Sequence, residues 1–252
     1  MLPKKFKPDG LYDLIRLGKD NDGGYLICKN SILETDCLFS FGISDDFSFE
    51  EDLKNRENKI LIFAYDSTTT NIFFIKKILI NLLKFKFKNF YKCIYNFIKF
   101  NTFFNNKDNF FFKKRIRNIN NKDSHSISID EIIKNANIPK SIFFKIDIEG
   151  SEYEILDELI KFQYLISGIV IEFHNVGIHQ DKIIKFINNI NLTLVHIHPN
   201  NCSEYGNHNI PNTLEFSFSK NPKMLDRNLS LPHLLDQKNN PGSPDLELSF
   251  IK

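Results

Sequence analysis

The chain has no tryptophan, only four cysteines among 252 residues, and no long uninterrupted apolar run. The cysteines are dispersed and form no CxxC pair, which argues against disulfides and against a zinc cluster. Lys and Asn residues cut each apolar run well before the roughly 18 residues that a membrane-spanning helix needs. The opening MLPKKFKPDG also lacks the apolar core of a signal peptide. We therefore predict a cytoplasmic protein.

An excess of charge of one sign is also lacking, since the net charge is only +2. A nucleic-acid-binding domain is usually strongly basic, so the whole chain does not fit that class. The length is sufficient for one α/β domain with a sizeable core. We divide it into a lead-in (residues 1–36), a main domain (37–220) and a tail rich in Pro and Asn (221–252). In the lead-in, the pattern predicts a short helix at residues 11–17 and a strand at Tyr25–Cys28.

Two apolar runs, Cys37–Phe41 and residues 60–65, are separated by a polar segment of about one helix length. This pattern predicts a β-α-β unit with both strands buried. Gly42 ends the first run, where a residue without Cβ lets the backbone approach a ligand closely. Asp66 ends the second run, where a carboxylate can accept hydrogen bonds from a ribose diol. A turn glycine and a loop aspartate without a ligand remain the alternative.

The strand-end pattern FGISDDFSFE, followed by AYD, resembles the FkbM-type methyltransferases. The stretches RLGKDNDGGY, FFKIDIEGSEYEIL, IVIEFHN, HIHPNN and LEFSF fit the same resemblance, which covers roughly residues 16–220. It implies a Rossmann-like α/β fold of class I methyltransferases, with a mostly parallel sheet of about seven strands and helices on both faces. It also implies S-adenosylmethionine as cofactor and an O-methyltransferase reaction on a sugar hydroxyl of a bacterial surface glycan or a related metabolite, within polysaccharide biosynthesis.

The cofactor pocket implied by the resemblance departs from the wider Rossmann pattern. The glycine-rich GxGxxG turn that holds a dinucleotide pyrophosphate is absent. Acidic residues stand in its place, which argues against NAD and for a cationic ligand such as S-adenosylmethionine. The DGGY turn upstream belongs to the same pocket in this interpretation, and a plain hairpin turn is the alternative. The predicted cofactor-binding residues are Asp22, Gly23, Gly24, Tyr25, Gly42, Ser44, Asp46, Glu50 and Asp66.

Carboxylates and an imidazole follow two further apolar runs. Asp147 and Glu149 end the first, and Glu172 and His174 end the second. Strand alternation places each pair on one side, and four such groups buried together need a cation, protons or an open cleft. We predict these four as catalytic residues, with His174 or Asp147 as general base. Mg²⁺ held by Asp147, Glu149, Glu172 or Asn175 is the other solution, and carboxylates that only cap helices are a third.

Two neighbouring motifs have mainly structural interpretations. Ser151 and Glu154 match the S-x-x-E capping box, which predicts that a helix begins there. His196 and His198 lie on one side of a predicted strand at residues 192–198, and an acceptor-binding or structural role is predicted for His198 and Asn200. A zinc site would need a third ligand that the spacing does not provide.

Residues 71–122 form a basic, aromatic insertion. They contain 11 Lys, 2 Arg and 12 Phe but only one acid, for a net charge of +12, and a strand is predicted within residues 109–119. We consider three roles: a cap over the active site that receives a negatively charged acceptor, attachment to the inner face of an anionic membrane, or RNA binding by stacking. If the insertion attaches to a membrane, the chain could be an inactive binding subunit that is recruited there. If it binds RNA, the chain could be an RNA-directed methyltransferase. No DNA partner is expected, and the oligomeric state is not predicted.

Overall fold

The computed structural model describes residues 1–118, 120, 123–135, 141–206 and 209–251. Its strands, in chain order, are β1 (Leu11–Tyr12), β2 (Leu14–Leu17), β3 (Tyr25–Cys28), β4 (Cys37–Phe41), β5 (Leu61–Tyr65), β6 (Asn109–Phe112), β7 (Arg115–Ile116), β8 (Ser126–Ile127), β9 (Ile142–Ile146), β10 (Ile166–His174), β11 (Thr193–Pro199), β12 (Thr213–Ser219) and β13 (Met224–Asp226). The α-helices are α1 (Lys29–Leu33), α2 (Ser48–Arg56), α3 (Asn71–Leu83), α4 (Phe87–Phe104), α5 (Ile129–Asn135), α6 (Leu156–Lys161) and α7 (Val176–Asn189). Short 3₁₀ helices lie at Lys4–Phe6, Glu152–Glu154 and Gln163–Leu165.

Seven of these strands form the central sheet, in the spatial order β11-β12-β10-β9-β4-β5-β6. β4 pairs in parallel with β5 and β9, and parallel pairing continues to β6 on one side and to β10 on the other. Among the described strands of this sheet, β12 alone runs in the direction opposite to the other six. This sheet confirms the predicted Rossmann-like fold. The chain extends outward from β4 to β6 and then returns to β9, so strand order reverses between β4 and β9, where ligands of such sheets bind.

Alternating side chains of β4 show how helices cover both faces of the sheet. Cys37 and Phe39 belong to one core cluster, which also contains side chains of α5, α6 and α7. Leu38 points to the opposite face and packs with Phe49 and Leu53 of α2. Burial on both faces explains why the central strands are continuous apolar runs in the sequence.

The lead-in and the tail pack together on the sheet. The helix predicted at residues 11–17 is wrong, since β1 and β2 occupy this stretch. β2 pairs antiparallel with β3, as β1 does with β13 of the tail, and these partners decide the conformation. The strand predicted at Tyr25–Cys28 is confirmed as β3. A parallel bridge between Leu2 and Phe250 also joins the two ends of the chain.

The predicted insertion begins as a helical hairpin made of α3 and α4, which pack against each other. Only its base is anchored: Phe74 of α3 and Phe100 of α4 are buried in a cluster with Ala64 of β5 and Phe111 of β6. The strand predicted within residues 109–119 is confirmed as β6. The end of the predicted insertion, at residues 119, 121 and 122, lies outside the described residues. In the part of the chain that is described, no helix combines the length and apolar character needed to cross a bilayer.

Candidate active site

A cavity of about 310 Å³ lies at the carboxyl ends of β4, β5 and β9, beside the reversal of strand order. The loops that follow these strands form most of its wall, and the segment after β6 forms one side. Its volume is at the lower end of the range for small-molecule and cofactor pockets. The wall consists of Gly42, Ile43, Ser44, Tyr65, Asp66, Ser67, Thr68, Lys114, Arg115, Ile116, Asp147, Ile148, Glu149 and Ser151.

Gly42 lets two of these loops come into contact. Its φ of +77° is a conformation that L side chains rarely adopt, and a Cβ at this position would lie 1.6 Å from the carbonyl oxygen of Asp147. The amide of Asp147 donates to the carbonyl of Phe41 at 2.9 Å, which extends the pairing of β4 and β9 by one residue. The glycine is therefore required by the packing of the protein itself, as well as lining the cavity.

Asp66 connects the loop after β4 to the loop after β5. One carboxylate oxygen accepts hydrogen bonds from the amides of Ile43 (3.0 Å) and Ser44 (2.8 Å). The other accepts from the amide and hydroxyl of Thr68 (2.7 and 2.6 Å) and from the amide of Thr69 (3.1 Å). Burial raises the pKa of Asp66, but these hydrogen bonds outweigh it and the net pKa is lowered. A carboxylate offers about four lone-pair sites, so a ribose would have to displace one of these donors.

The DGGY turn places a phenol in the acidic rim. Gly23 has a φ of +87°, and a Cβ there would lie 2.3 Å from Oδ2 of Asp46, so the turn packs directly against the loop after β4. The turn leads into Tyr25, which is buried. Its hydroxyl lies 3.3 Å from Oδ2 of Asp147 and 3.4 Å from Oε2 of Glu172. The single phenol proton therefore lies between two carboxyl groups from adjacent strands.

Glu172 is a buried carboxyl group of the acidic rim. Burial is the main cause that raises its pKa well above the usual range, and the negative charges of Asp147 and Glu215 raise it further. A hydrogen bond from Nδ2 of Asn200 to Oε1 (3.0 Å) opposes this shift without cancelling it. Burial is also the main cause that raises the pKa of Tyr25, followed by the negative charges of Asp147 and Glu172. Ionisation of Glu172 is thus disfavoured beside the aspartate that lines the cavity.

His174 adjoins the cavity through Glu149 and is held in place by Glu152. Its backbone amide donates to Oε1 of Glu152 at 2.7 Å, and the same oxygen lies 3.3 Å from Nδ1. Nε2 lies 3.5 Å from carboxylate oxygens of Glu149 and Glu172. Burial lowers the pKa of His174, but the hydrogen bond and charge of Glu152, with the charge of Asp147, raise it more. The net pKa is raised, and the imidazole has one nitrogen fixed and the other facing acidic groups.

The predicted cofactor-binding and catalytic residues fall into three groups: Gly42, Ser44, Asp66, Asp147 and Glu149 line the cavity, Tyr25, Glu172 and His174 adjoin it, and Asp22, Gly23, Gly24, Asp46 and Glu50 do not line it. Glu50 is buried, accepts a hydrogen bond from Ser40, and does not line the cavity. Asn175 is exposed at the start of α7, with a φ of +53°. Among the described residues, the group whose metal-ligand atoms come within 4.8 Å of one another is Asp147, Glu149 and His174. This group contains Asp147 and Glu149 of the four predicted Mg²⁺ ligands but neither Glu172 nor Asn175, and the cofactor and metal roles stay predictions.

Several residues near the site were not predicted. Lys145, inside β9, is buried and donates to the carbonyl of Gly42. Glu152 was not among the predicted site residues. The capping box predicted at Ser151 and Glu154 does not form, because the side chain of Ser151 makes no cap hydrogen bond. Lys114 and Arg115 line the cavity from the segment after β6. Lys145 could have been noticed in the sequence, because it is a lysine within an otherwise apolar strand. The other residues gave no such signal, because their partners lie far away in the sequence.

The two histidines of β11 belong to an adjoining buried network. Their rings stack with centroids 6.4 Å apart, which confirms that they share a side. His196 Nε2 and His198 Nδ1 lie 3.0 and 3.6 Å from Oδ1 of Asp236 in the tail. The adjacent Asp236 carboxylate and other nearby carboxylate charges outweigh burial and raise the pKa of His198 to about 9. The network extends to Glu215 of β12, which lies opposite Glu172 of β10 in the sheet. The histidines therefore stabilise the packing of the tail next to the site.

A family model and distantly similar solved structures match this chain. The family model described as the methyltransferase FkbM domain matches residues 34–208. A search of curated proteins gives no significant match. Among solved structures, the chain is similar to precorrin-6y C5,15-methyltransferase from Geobacter metallireducens GS-15, with 12% identity, a TM-score of 0.38, and coverage of 76% of this chain and 84% of that chain. It is also similar to M. capricolum TrmK in complex with S-adenosyl-homocysteine, with 14% identity, a TM-score of 0.37, and coverage of 77% and 68%. These structural similarities are too distant to indicate a substrate or a partner.

Proposed function

Because the chain belongs to the FkbM methyltransferase family and is therefore an S-adenosylmethionine-dependent methyltransferase, we propose that it methylates a hydroxyl oxygen of a sugar, in a surface glycan or a related metabolite. The observation that carries the oxygen acceptor is the His174–Glu152 pair beside the cavity. Methyl transfer to an alcohol requires removal of the hydroxyl proton, and an imidazole with one nitrogen held by a carboxylate is suited to that role. The sugar itself is proposed from the family resemblance.

The cavity suits the cofactor in shape and charge. Its walls come from the loops at the reversal of strand order, and Asp66, Asp147 and Glu149 give it acidic groups. S-adenosylmethionine, when bound, supplies a methyl group on a cationic sulfonium. Asp147 provides a carboxylate at the wall, and the raised pKa of Glu172 disfavours a second ionised carboxylate beside it. Lys114 and Arg115 line the side of the cavity that is formed by the segment after β6.

In the proposed reaction His174 accepts the acceptor proton at Nε2. The neutral tautomer that donates from Nδ1 to Glu152 leaves the Nε2 lone pair free for this purpose. The raised pKa of His174 extends the pH range in which the imidazole is protonated and inactive as a base. Activity should therefore increase as the pH rises through the pKa of His174. The main contribution of the remaining residues is alignment of donor and acceptor.

Mg²⁺ is a second cofactor to be tested. Asp147 and Glu149 provide oxygen ligands of the kind that Mg²⁺ prefers, and their ligand atoms lie within 4.8 Å of one another and of His174. The Glu149 side chain is 86% exposed and free to turn toward a cation. When bound, the ion would supply positive charge that favours ionisation of the acceptor hydroxyl. Loss of turnover after chelation, with recovery on addition of Mg²⁺, would support this role, and unchanged turnover would exclude it.

The proposal is tested by labelled methyl transfer to a panel of sugars, glycans, RNA and protein, followed by mass spectrometry of the product. We expect a methyl ether on a sugar. His174→Ala should reduce kcat by about 100-fold or more, with unchanged affinity for S-adenosyl-homocysteine. His125→Ala is the matched control, because His125 is exposed and its hydrogen bonds run through the backbone. Glu152→Gln should shift the rise of the pH–rate profile to lower pH. Methylation of nitrogen or of RNA would contradict the proposal, and full activity of His174→Ala would exclude that base.

A further inference from the structure

The hairpin of α3 and α4 carries an unusual concentration of exposed apolar side chains. Of the 23 large apolar residues that are exposed in the described chain, 11 lie between residues 72 and 98. The most exposed of them are at the turn, where Leu83 is 77% and Phe85 is 78% exposed. The base of the hairpin is held by Phe74 and Phe100, but its distal half has no such anchor. An isolated apolar patch of this kind is typical of a binding surface.

The charged side chains of the same hairpin are all basic. Residues 71–106 contain seven lysines and no acidic residue. Two of the lysines are used inside the molecule: Lys77 pairs with Asp45, and Lys99 pairs with Glu51. These pairs fix both helices to the domain. The other five are exposed and form no ion pair among the described residues; they are Lys76, Lys84, Lys86, Lys88 and Lys92.

We propose that this hairpin docks the enzyme on the surface of an anionic lipid bilayer. At the turn, exposed Lys84, Lys86 and Lys88 alternate with exposed Phe85 and Phe87. Cations and apolar groups therefore lie together at the same end of the hairpin. Basic residues are attracted to anionic headgroups, while the apolar side chains enter the boundary with the acyl chains. The hairpin lies on the surface, since neither helix can cross a bilayer.

The composition of the surface favours lipid over two other partners. Seven of the 11 exposed apolar residues are Ile or Leu, which bury well in hydrocarbon but cannot stack on the bases of RNA as aromatic side chains do. A second copy of the chain would bring the same lysines together in a two-fold interface, and no acid of the hairpin would neutralise them. A bilayer of anionic lipid complements both the charge and the apolar groups.

The position of the hairpin connects docking to the active site. α3 begins three residues after Thr68, whose loop lines the cavity and is held by Asp66. The cavity and the docked surface are thus joined by a short, hydrogen-bonded segment. An acceptor presented at the membrane would be close to the site. The docking inference does not depend on the acceptor being a sugar.

Vesicle co-sedimentation of the full chain tests the inference. We expect binding to vesicles of equimolar phosphatidylglycerol and phosphatidylcholine, and much weaker binding to phosphatidylcholine alone. Each lysine near an anionic surface contributes about fivefold, so replacing Lys84, Lys86 and Lys88 by Gln should weaken binding by about 100-fold. Replacing Lys4, Lys5 and Lys59, which are exposed and lie outside the hairpin, is the charge-matched control and should change binding little.

A second variant separates apolar insertion from charge. Leu83→Ser combined with Phe85→Ser should lower vesicle binding at high salt, where the lysine contribution is screened. Both side chains are exposed, so the fold should be unaffected, and circular dichroism checks this. Wild-type chain that fails to bind anionic vesicles at low salt would overturn the inference. Salt-sensitive binding of an RNA oligomer without vesicle binding, or a dimer in light scattering that Leu83→Ser and Phe85→Ser abolish, would also overturn it in favour of the other partner.

Discussion

Replacing Asp66 by Asn tests how the two loops of the cofactor cavity are held together. The substitution preserves the size of the side chain but removes one acceptor oxygen. In its better orientation, the Asn oxygen still accepts from Thr68 and Thr69, while its NH₂ group faces the amides of Ile43 and Ser44. Two backbone donors then lose their acceptor and face another donor. An isosteric change should therefore be far from neutral.

The cost follows from the burial of these donors. The amide of Ile43 is buried and that of Ser44 is partly buried, so water can replace the lost bond at Ser44 more easily. A buried donor without a partner costs about 1–3 kcal/mol, which gives a loss of about 2–4 kcal/mol for Asp66→Asn. Asp66→Ala removes every bond to the carboxylate and should be at least as damaging. Both variants should also weaken binding of S-adenosyl-homocysteine, because the loops they loosen form the cavity wall.

Urea unfolding followed by circular dichroism measures the free energy of unfolding, and calorimetry measures the affinity for S-adenosyl-homocysteine. Asp157→Asn is the control, since Asp157 forms only an exposed pair with Lys185 and should change stability by less than about 1 kcal/mol. The pKa of Asp66 is lowered on folding. Its contribution is therefore present above the unfolded pKa and is lost as pH falls through the folded pKa, so the gap between wild type and Asp66→Asn should narrow below about pH 4. A variant within about 1 kcal/mol of wild type at neutral pH would refute the reasoning.

Two further substitutions test the surroundings of the site. Gly42→Ala should cost more than about 3 kcal/mol in urea unfolding, because it adds a clash with Asp147 to the strain of a positive φ. Gly150→Ala should cost only about 1–2 kcal/mol, since its φ is +97° but no atom lies within 4 Å of the added Cβ; equal losses would contradict the clash. Burial raises the pKa of Glu215 from 4.5 to about 7. The free energy of unfolding of the wild type should therefore fall by about 3 kcal/mol relative to that of Glu215→Gln as the pH rises from 4.5 to about 7. A constant difference in this free energy across the same pH range would show that Glu215 does not titrate there.

The strands of the sheet could be predicted because their signal is local. A strand buried on both faces is usually an apolar run, so Cys37–Phe41 and the run that contains Leu61–Tyr65 were recognisable from composition alone. The number of strands and their mostly parallel arrangement came from the family resemblance. Residues 11–17 were predicted as a helix because the partners that make them strands, β3 and the distant β13, are invisible in a short window.

The site was predictable where a strand ends, but not where distant segments meet. Glu172 and His174 share a side because β10 extends through both residues, as alternation requires. β9 instead ends at Ile146, so Asp147 and Glu149 meet His174 through a loop with a positive φ at Glu149. The capping box predicted at Ser151 and Glu154 does not form. Instead, the carboxylate of Glu152 accepts hydrogen bonds from the amides of Gly150 and His174, and local spacing cannot show the contact with His174.

The most direct test of the central claim is a crystal structure of the chain with S-adenosyl-homocysteine. The account predicts that the adenosyl compound occupies the cavity between Gly42 and Asp147, with its ribose beside Asp66 and its sulfur directed toward the His174 side of the rim. An adenosyl compound bound elsewhere on the chain, with this cavity empty in the same crystal, would contradict the claim that these acidic loops hold the methyl donor.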